Sequence, residues 1–336
     1  MGVLRQLGLR AERQAKLLRC LRKSASLRSL ANNTDRIRPR DVLVFATLRN
    51  ELLRLPYFLD YYRAQGVAHF LIVDNGSTDG SAEFLAGQRD VSVWTTQASY
   101  KGAGFGVDWL NHLLWRYGAG HWVLVLDVDE FFVYPFCDTR PVQALTDWLE
   151  SQGRRSFGAM LLDMYPKGAI NAQRYQSGQN PFEIARWFDA GNYSIRRNPR
   201  YHNLWIQGGA RQRVVMASQP EKAPALNKTP LVHWSRRNAY VSSTHTILPR
   251  GLNRVYDESG GELASGVLMH AKFLDLIVDK AQEELQRGQH YAGSREYRAY
   301  EDTLTRGQDL WCEWSTEYIN WRQLEILGLM SKGDWA

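Results

Sequence analysis

The chain has 336 residues, 44% apolar and 12% aromatic, with 42 Lys and Arg against 35 Asp and Glu for a net charge of +7. This composition excludes a disordered chain, and the length suits one large domain or two ordinary ones. Three scattered cysteines (Cys20, Cys137, Cys312) exclude a disulfide framework or a CxxC zinc site and favour a reducing compartment, and no apolar run approaches the ~20 residues of a membrane helix.

The charge is unevenly placed. Residues 1–40 carry eleven basic residues and two acids, a balance of +9, so residues 41–336 stand at −2. Leu4, Leu7, Ala11, Leu18 and Leu21 recur at helical spacing and predict a basic amphipathic helix. No uninterrupted apolar stretch opens the chain as a signal peptide would. Such a helix either lies on an anionic membrane surface, leucines in the interface and cations on headgroups, or packs on the body. Nucleic acid is not an expected partner, because the leader has no aromatics to stack on bases and no reader motif. The expected location is cytoplasmic, peripheral on the inner face of the cell membrane.

Asn32-Asn33-Thr34 and Pro39 mark a break before the body. Strands are predicted at Val42–Ala46, Phe70–Val73, Val91–Trp94 and Trp122–Leu126, and helices over 51–65, 81–86 and 106–117. Pro56 falls in the first turns of its helix, where it is tolerated. This alternation predicts an α/β fold, a mostly parallel sheet with helices on both faces. Ligands of such sheets bind beyond the carboxyl ends of the strands. Three polar clusters stand at those ends: Arg49-Asn50-Glu51, the run from Asp74 to Asp79, and Asp127-Val128-Asp129-Glu130. Beyond residue 150, β-like pieces at 157–164, 203–207, 212–216 and 230–234 alternate with loops. Helices are predicted from Phe273 to about Gln286, over about 295–306 and over 308–327.

Asp127 and Asp129 close a buried strand. Two carboxylates so placed repel each other unless a cation lies between them. A divalent metal with oxygen ligands satisfies both and can neutralise charge on a leaving diphosphate. A solvated acidic turn is the other reading of so short a pattern. The glycines at 102, 104 and 106 after Lys101 follow neither the P-loop order nor GxGxxG. They predict a loop before a helix, with Lys101 near donor phosphates as the functional option.

Three stretches carry a family resemblance: Thr47-Leu48-Arg49-Asn50-Glu51, His69 to Gly80 with its Asp-Asn-Gly-Ser-Thr-Asp-Gly end, and Trp122 to Phe131 with Asp-Val-Asp-Glu-Phe. In this order they resemble the family-2-type glycosyltransferases with the GT-A fold. The Asp-x-Asp-Glu-Phe version looks like the bacterial subgroup related to eukaryotic galactan-type transferases. The match is good over about residues 41–135 and looser through Asn227–Trp234, Ser242–His245 and Leu268–His270.

The resemblance implies a GT-A catalytic domain over 41–272, with a nucleotide-sugar half (41–135) and an acceptor half (136–272). It leaves 1–40 as leader and 273–336 as a helical extension. It further implies a nucleotide-sugar donor, UDP-linked, and a glycan or glycolipid acceptor in surface-polysaccharide synthesis. Asp74 would face the base or ribose, with Asn75 and Asp79 shaping that loop and Arg49 and Glu51 flanking the nucleotide. Asp127 and Asp129 would bind Mn²⁺ or Mg²⁺ on the diphosphate. A late histidine would complete the site, His270 first and His245 second. Lys228, Arg211 and Arg213 are further candidates for the diphosphate.

An inverting transferase needs a carboxylate to deprotonate the acceptor. Asp189, beside Trp187 and Phe188, and Asp163 are the leading candidates, with Glu183 behind them. Trp205, Trp234, Trp311 and Trp314 are candidates for an acceptor groove or for core packing. A nucleotidyltransferase and a non-catalytic nucleotide- or carbohydrate-binding protein are the competing classes.

Overall fold

The computed structural model describes residues 2–255, 262–289 and 308–336. The leader forms α1 (Gly2–Lys23) and β1 (Arg28–Ala31). The body opens with β2 (Val42–Leu48), α2 (Leu55–Ala64), β3 (His69–Asp74), α3 (Ser81–Ala86), β4 (Val91–Thr95), α4 (Val107–Leu113) and β5 (Trp122–Val125). This is the alternation predicted by the sequence. β2 is apolar along its length because both of its faces are covered. Val42, Val44 and Ala46 pack toward α2 and α3, while Leu43 and Phe45 pack toward α4. Pro56 sits in the first turn of α2, where no backbone N–H is required.

The chain continues through β6 (Glu130–Val133), α5 (Val142–Ser151), β7 (Ser156–Asp163), β8 (Trp187–Asp189), β9 (Tyr193–Asn198), β10 (Asn203–Gly208) and β11 (Asn227–His233). It ends through β12 (Ala239–Ser242), β13 (Thr246–Leu248), β14 (Gly266–His270), α6 (Leu276–Arg287), β15 (Ser315–Glu317) and α7 (Trp321–Ile326).

Nine strands form one sheet in the order β1-β4-β3-β2-β5-β11-β7-β14-β6. β4, β3, β2 and β5 are mutually parallel, and β7 and β14 run the same way. β1, β11 and β6 oppose their neighbours. The fold is therefore a Rossmann-like α/β sheet, mostly parallel, with helices on both faces. From β2 the chain steps to β3 and β4 on one side and later to β5 on the other. Strand order reverses between β2 and β5, and the crevice at such a switch point is where these sheets bind ligands.

Two expectations are corrected. Residues 212–216 form a helical turn, Arg211–Val215, instead of a strand. Between 308 and 327 only α7 is helical, and β15 pairs with β8. The C-terminal residues return to the body, with Trp335 buried beside Tyr134 and Trp148. The helix predicted over about 295–306 lies outside the described residues. In the leader, β1 extends the sheet beside β4, and Arg19 pairs with buried Asp108 of α4 at 2.6 Å.

Candidate active site

Strand register assembles the site. Across β6, β14 and β7, Glu130 stands beside His270 and His270 beside Asp163. The link from β5 to β6 is a tight turn in which the Glu130 N–H donates to the Asp127 carbonyl at 3.1 Å. The Ala271 N–H then donates to the Asp129 carbonyl at 2.8 Å. The acidic turn is thereby tied to the end of β14, far away in sequence.

His270 bridges two carboxylates. Its Nδ1 is 2.7 Å from Asp163 Oδ1, and its Nε2 is 3.3 Å from Asp129 Oδ2. Arg211 donates to both oxygens of Asp163, at 2.6 and 3.0 Å. Burial penalises charge on all three groups of the relay. Their mutual attraction, with Arg211 on Asp163, outweighs that penalty. Both carboxyls are held well below the usual carboxylate range, and the imidazole is held above its ordinary value. Beside them, Lys228 Nζ lies 2.8 Å from Glu130 Oε1 and 3.6 Å from Asp127 Oδ2. Burial pushes the Glu130 carboxyl upward, and Lys228 offsets this only in part. The Asp127 side chain is 56% exposed.

These groups face a cleft of about 310 Å³, at the small end of ligand pockets. Seven basic residues and four acidic ones line it: Arg49, Arg54, Arg211, Lys228, Lys272, Lys280 and Arg287 against Glu51, Asp127, Asp129 and Glu130. A cationic excess in a concave site draws polyanions. α6 lies across one end. Lys280 donates to the Arg49 carbonyl at 2.6 Å and to Glu51 at 2.9 Å. Glu283 accepts from Arg49 at 2.7 Å and from Asn50 at 2.8 Å. Arg287 donates to Asn75 Oδ1 at 3.2 Å.

Of the residues singled out by sequence, Arg49, Glu51, Asn75, Asp127, Asp129, Arg211, Lys228 and His270 line this one cleft, and Arg213 does not. Asp74 and Asp79 stand behind it and build the loop. Asp79 accepts from Ser81 and from the Leu52 N–H. Asp74 Oδ1 accepts from the Gly76 and Ser77 N–H groups, each at 3.1 Å. Asp74 Oδ2 is buried with no hydrogen-bond partner among the described residues. Lys101 is exposed and does not line the cleft; Tyr100 lines it instead.

Neither expected base is free. Asp163 is committed to Arg211 and His270. Asp189 does not line the cleft and accepts from Arg213 at 2.9 and 3.1 Å and from the Tyr165 hydroxyl. His245 lines the cleft, with Nδ1 2.7 Å from the Asn227 carbonyl. Burial and then Lys228 push its pKa down to about 3, so the ring is neutral. Trp234 is core, Trp205 and Trp314 are exposed, and Trp311 lies under Lys167 at 3.9 Å. None of these tryptophans lines the cleft. Sequence reasoning missed Tyr100, Arg54, Lys272, Lys280 and Arg287. The spacing of Lys280, Glu283 and Arg287 on one helical face was the available signal for α6.

Among the described residues, no group of three His, Cys, Asp or Glu side chains converges into a preformed metal site. Asp129 and His270 supply one oxygen and one nitrogen 3.3 Å apart, and exposed Asp127 stands two residues away in the chain. A hard divalent cation that keeps substrate phosphates and waters in its shell needs only one or two protein carboxylates. The donor set fits Mn²⁺ or Mg²⁺ on those terms. A carboxylate on the far nitrogen of a ligating histidine is the usual outer partner of such a site, and Asp163 occupies that position.

No family model matches the chain, and no curated protein matches it. Among solved structures it is similar to the mannosyltransferase PcManGT from Pyrobaculum calidifontis in complex with GDP-Man and Mn²⁺. That likeness covers 90% of this chain and 81% of that one, at 14% identity and a TM-score of 0.30. It is also similar to 4-diphosphocytidyl-2C-methyl-D-erythritol synthase, over 42% of this chain and 66% of that one, at 18% identity and a TM-score of 0.24. At such scores neither likeness carries an argument about activity.

Proposed function

We propose that this chain is a metal-dependent glycosyltransferase. It would move a sugar from a nucleotide-sugar donor, UDP-linked, to a glycan or glycolipid acceptor in surface-polysaccharide synthesis. The observation that carries the reading is the Asp129–His270–Asp163 relay, whose Asp129 and His270 line a cationic cleft beside the sheet's switch point. The three sequence stretches that resemble the family-2-type transferases end at this same cleft.

On this reading Asp129 and His270, with Asp127, would hold Mn²⁺ or Mg²⁺. Such a cation neutralises charge on a departing diphosphate. Asp163 accepts the Nδ1 proton of His270, which leaves Nε2 turned toward Asp129. Arg211 keeps Asp163 ionised for that task. Asp163 is thus a positioning residue and not the base that deprotonates the acceptor. Lys228 and the arginines of the cleft favour the negative charge of the donor before transfer and of the nucleoside diphosphate after it. Asn75 reaches the cleft from the Asp74–Asp79 loop, which Asp74 and Asp79 hold from behind through their hydrogen bonds.

Incubation with a panel of UDP- and GDP-sugars and Mn²⁺ tests the reading. Release of a nucleoside diphosphate from at least one donor is expected. Release of pyrophosphate from a nucleoside triphosphate instead would make the chain a nucleotidyltransferase. Tight nucleotide binding with turnover of no donor would make it a binding protein.

A further inference from the structure

α1 docks on the body by its polar side and leaves its apolar side in solvent. Leu9 and Cys20 are buried against the body. Between them, Lys16 donates to the Val241 carbonyl at 2.9 Å, and Glu12 pairs with Arg200 at 2.9 Å and accepts from Tyr201 at 2.8 Å. On the opposite side Leu7, Leu18 and Leu21 are 52%, 56% and 44% exposed. With Ala11 they fall within an arc of about 80° at 3.6 residues per turn. Arg10 and Arg22, both exposed, flank the stripe at about 60° to either side of Leu7. An amphipathic helix that packs on its own domain normally buries the apolar stripe. Here the arrangement is reversed.

We propose that the outward face of α1 docks on an anionic lipid surface, leucines in the interface and arginines against the headgroups. Charge selects this occupant. Glu12 is the sole acid of α1, and it is turned to the body, so the outward face, where Ala11 and Gln14 stand among the leucines, carries cations as its only charges. A second copy of the chain would bring like charges together across the stripe. Among the described residues no helix is long and apolar enough to cross a membrane, so the contact assigned to α1 is a surface one. The proposal does not depend on the transferase reading.

The test is co-sedimentation of the full chain with vesicles of equimolar phosphatidylglycerol and phosphatidylcholine, and with phosphatidylcholine alone. Binding to the anionic vesicles is expected, weakened by salt. Replacing Leu7, Leu18 and Leu21 together by Ser is expected to lower partitioning at least about tenfold, since each exposed leucine would bury apolar area in lipid. Melting temperature and nucleotide binding should be unchanged, because these side chains touch neither core nor cleft. Arg10→Glu with Arg22→Glu should abolish the preference for anionic lipid. Absence of vesicle binding, or equal binding by the serine variant, would overturn the proposal. So would a dimer in light scattering that the serine variant dissolves, which would make a second copy the occupant.

Discussion

Asp163 is buried, with Arg211 and His270 on its oxygens. Asp163→Asn keeps the shape but offers His270 an amide in place of a carboxylate. Affinity for Mn²⁺ is expected to fall about 10–100-fold, as for other outer partners of ligating histidines. Stability is expected to fall by about 3–5 kcal/mol, because the substitution breaks the buried Arg211–Asp163 ion pair. Calorimetric titration and urea unfolding read the two effects separately, and unchanged metal affinity would remove the positioning role. His245 gives a pH signature. The unfolded chain binds its proton below the ordinary histidine value of about 6.5, whereas the folded chain does not until about pH 3. The unfolded state therefore holds more protons within that window, and stability falls as pH drops from about 6.5 toward 3. Unfolding free energy measured between about pH 6.5 and 4.5 should have a shallower slope in His245→Asn than in the wild type. Equal slopes would show that this ring does not remain neutral.

Much of the site was legible at the residue scale, and the reason is local. Arg49, Asn75, Asp127 and Asp129 each follow a strand that is recognisable by its own apolar run. Lys228 and His270 were placed by looser motifs on β11 and β14, and they reach the same cleft through strand pairing. The commitment of Asp163 and Asp189 to arginines was not legible, because those partners lie 48 and 24 residues away. No local pattern announces an ion pair at that distance.

Among the elements, α6 has the clearest consequence. Its Glu283 accepts from Arg49, which lines the cleft, and from the neighbouring Asn50. Glu283→Gln weakens that hold and is expected to tighten nucleoside diphosphate binding several-fold. Stability should change by less than about 1 kcal/mol, since the pair is only half-buried. Weaker binding in the variant would show instead that Glu283 organises Arg49 for the ligand. The elements themselves were legible in proportion to their periodicity. β2 to β5 and the helices between them follow from apolar runs and turn residues. Residues 212–216 read as a strand from Val214 and Val215, yet Arg211 and Arg213 must reach Asp163 and Asp189, and a helical turn presents them there. The run 308–327 has helical spacing, but pairing of Ser315–Glu317 with β8 outweighs the weak local preference.

At the scale of the molecule, the +7 of the whole chain divides into two separate fields. The leader's cations lie on α1 and its surroundings, outside the cleft. The cleft holds its own cations around an acidic turn. The nine-stranded sheet joins the two, since β1 of the leader and the strands of the site belong to one ladder. The cleft opens at the switch point between β2 and β5, and β14 brings His270 to it from far along the chain. The central claim is that Asp129 and His270 hold a divalent cation for a nucleoside diphosphate. Its most direct test is the melting temperature of wild type and Asp129→Ala, with Mn²⁺, with UDP or GDP, and with both together. The account predicts a rise in the wild type only when metal and nucleotide are combined, and no rise in Asp129→Ala, whose fold without ligand is intact. An equal rise in the variant, or a full rise with nucleotide alone, would contradict it.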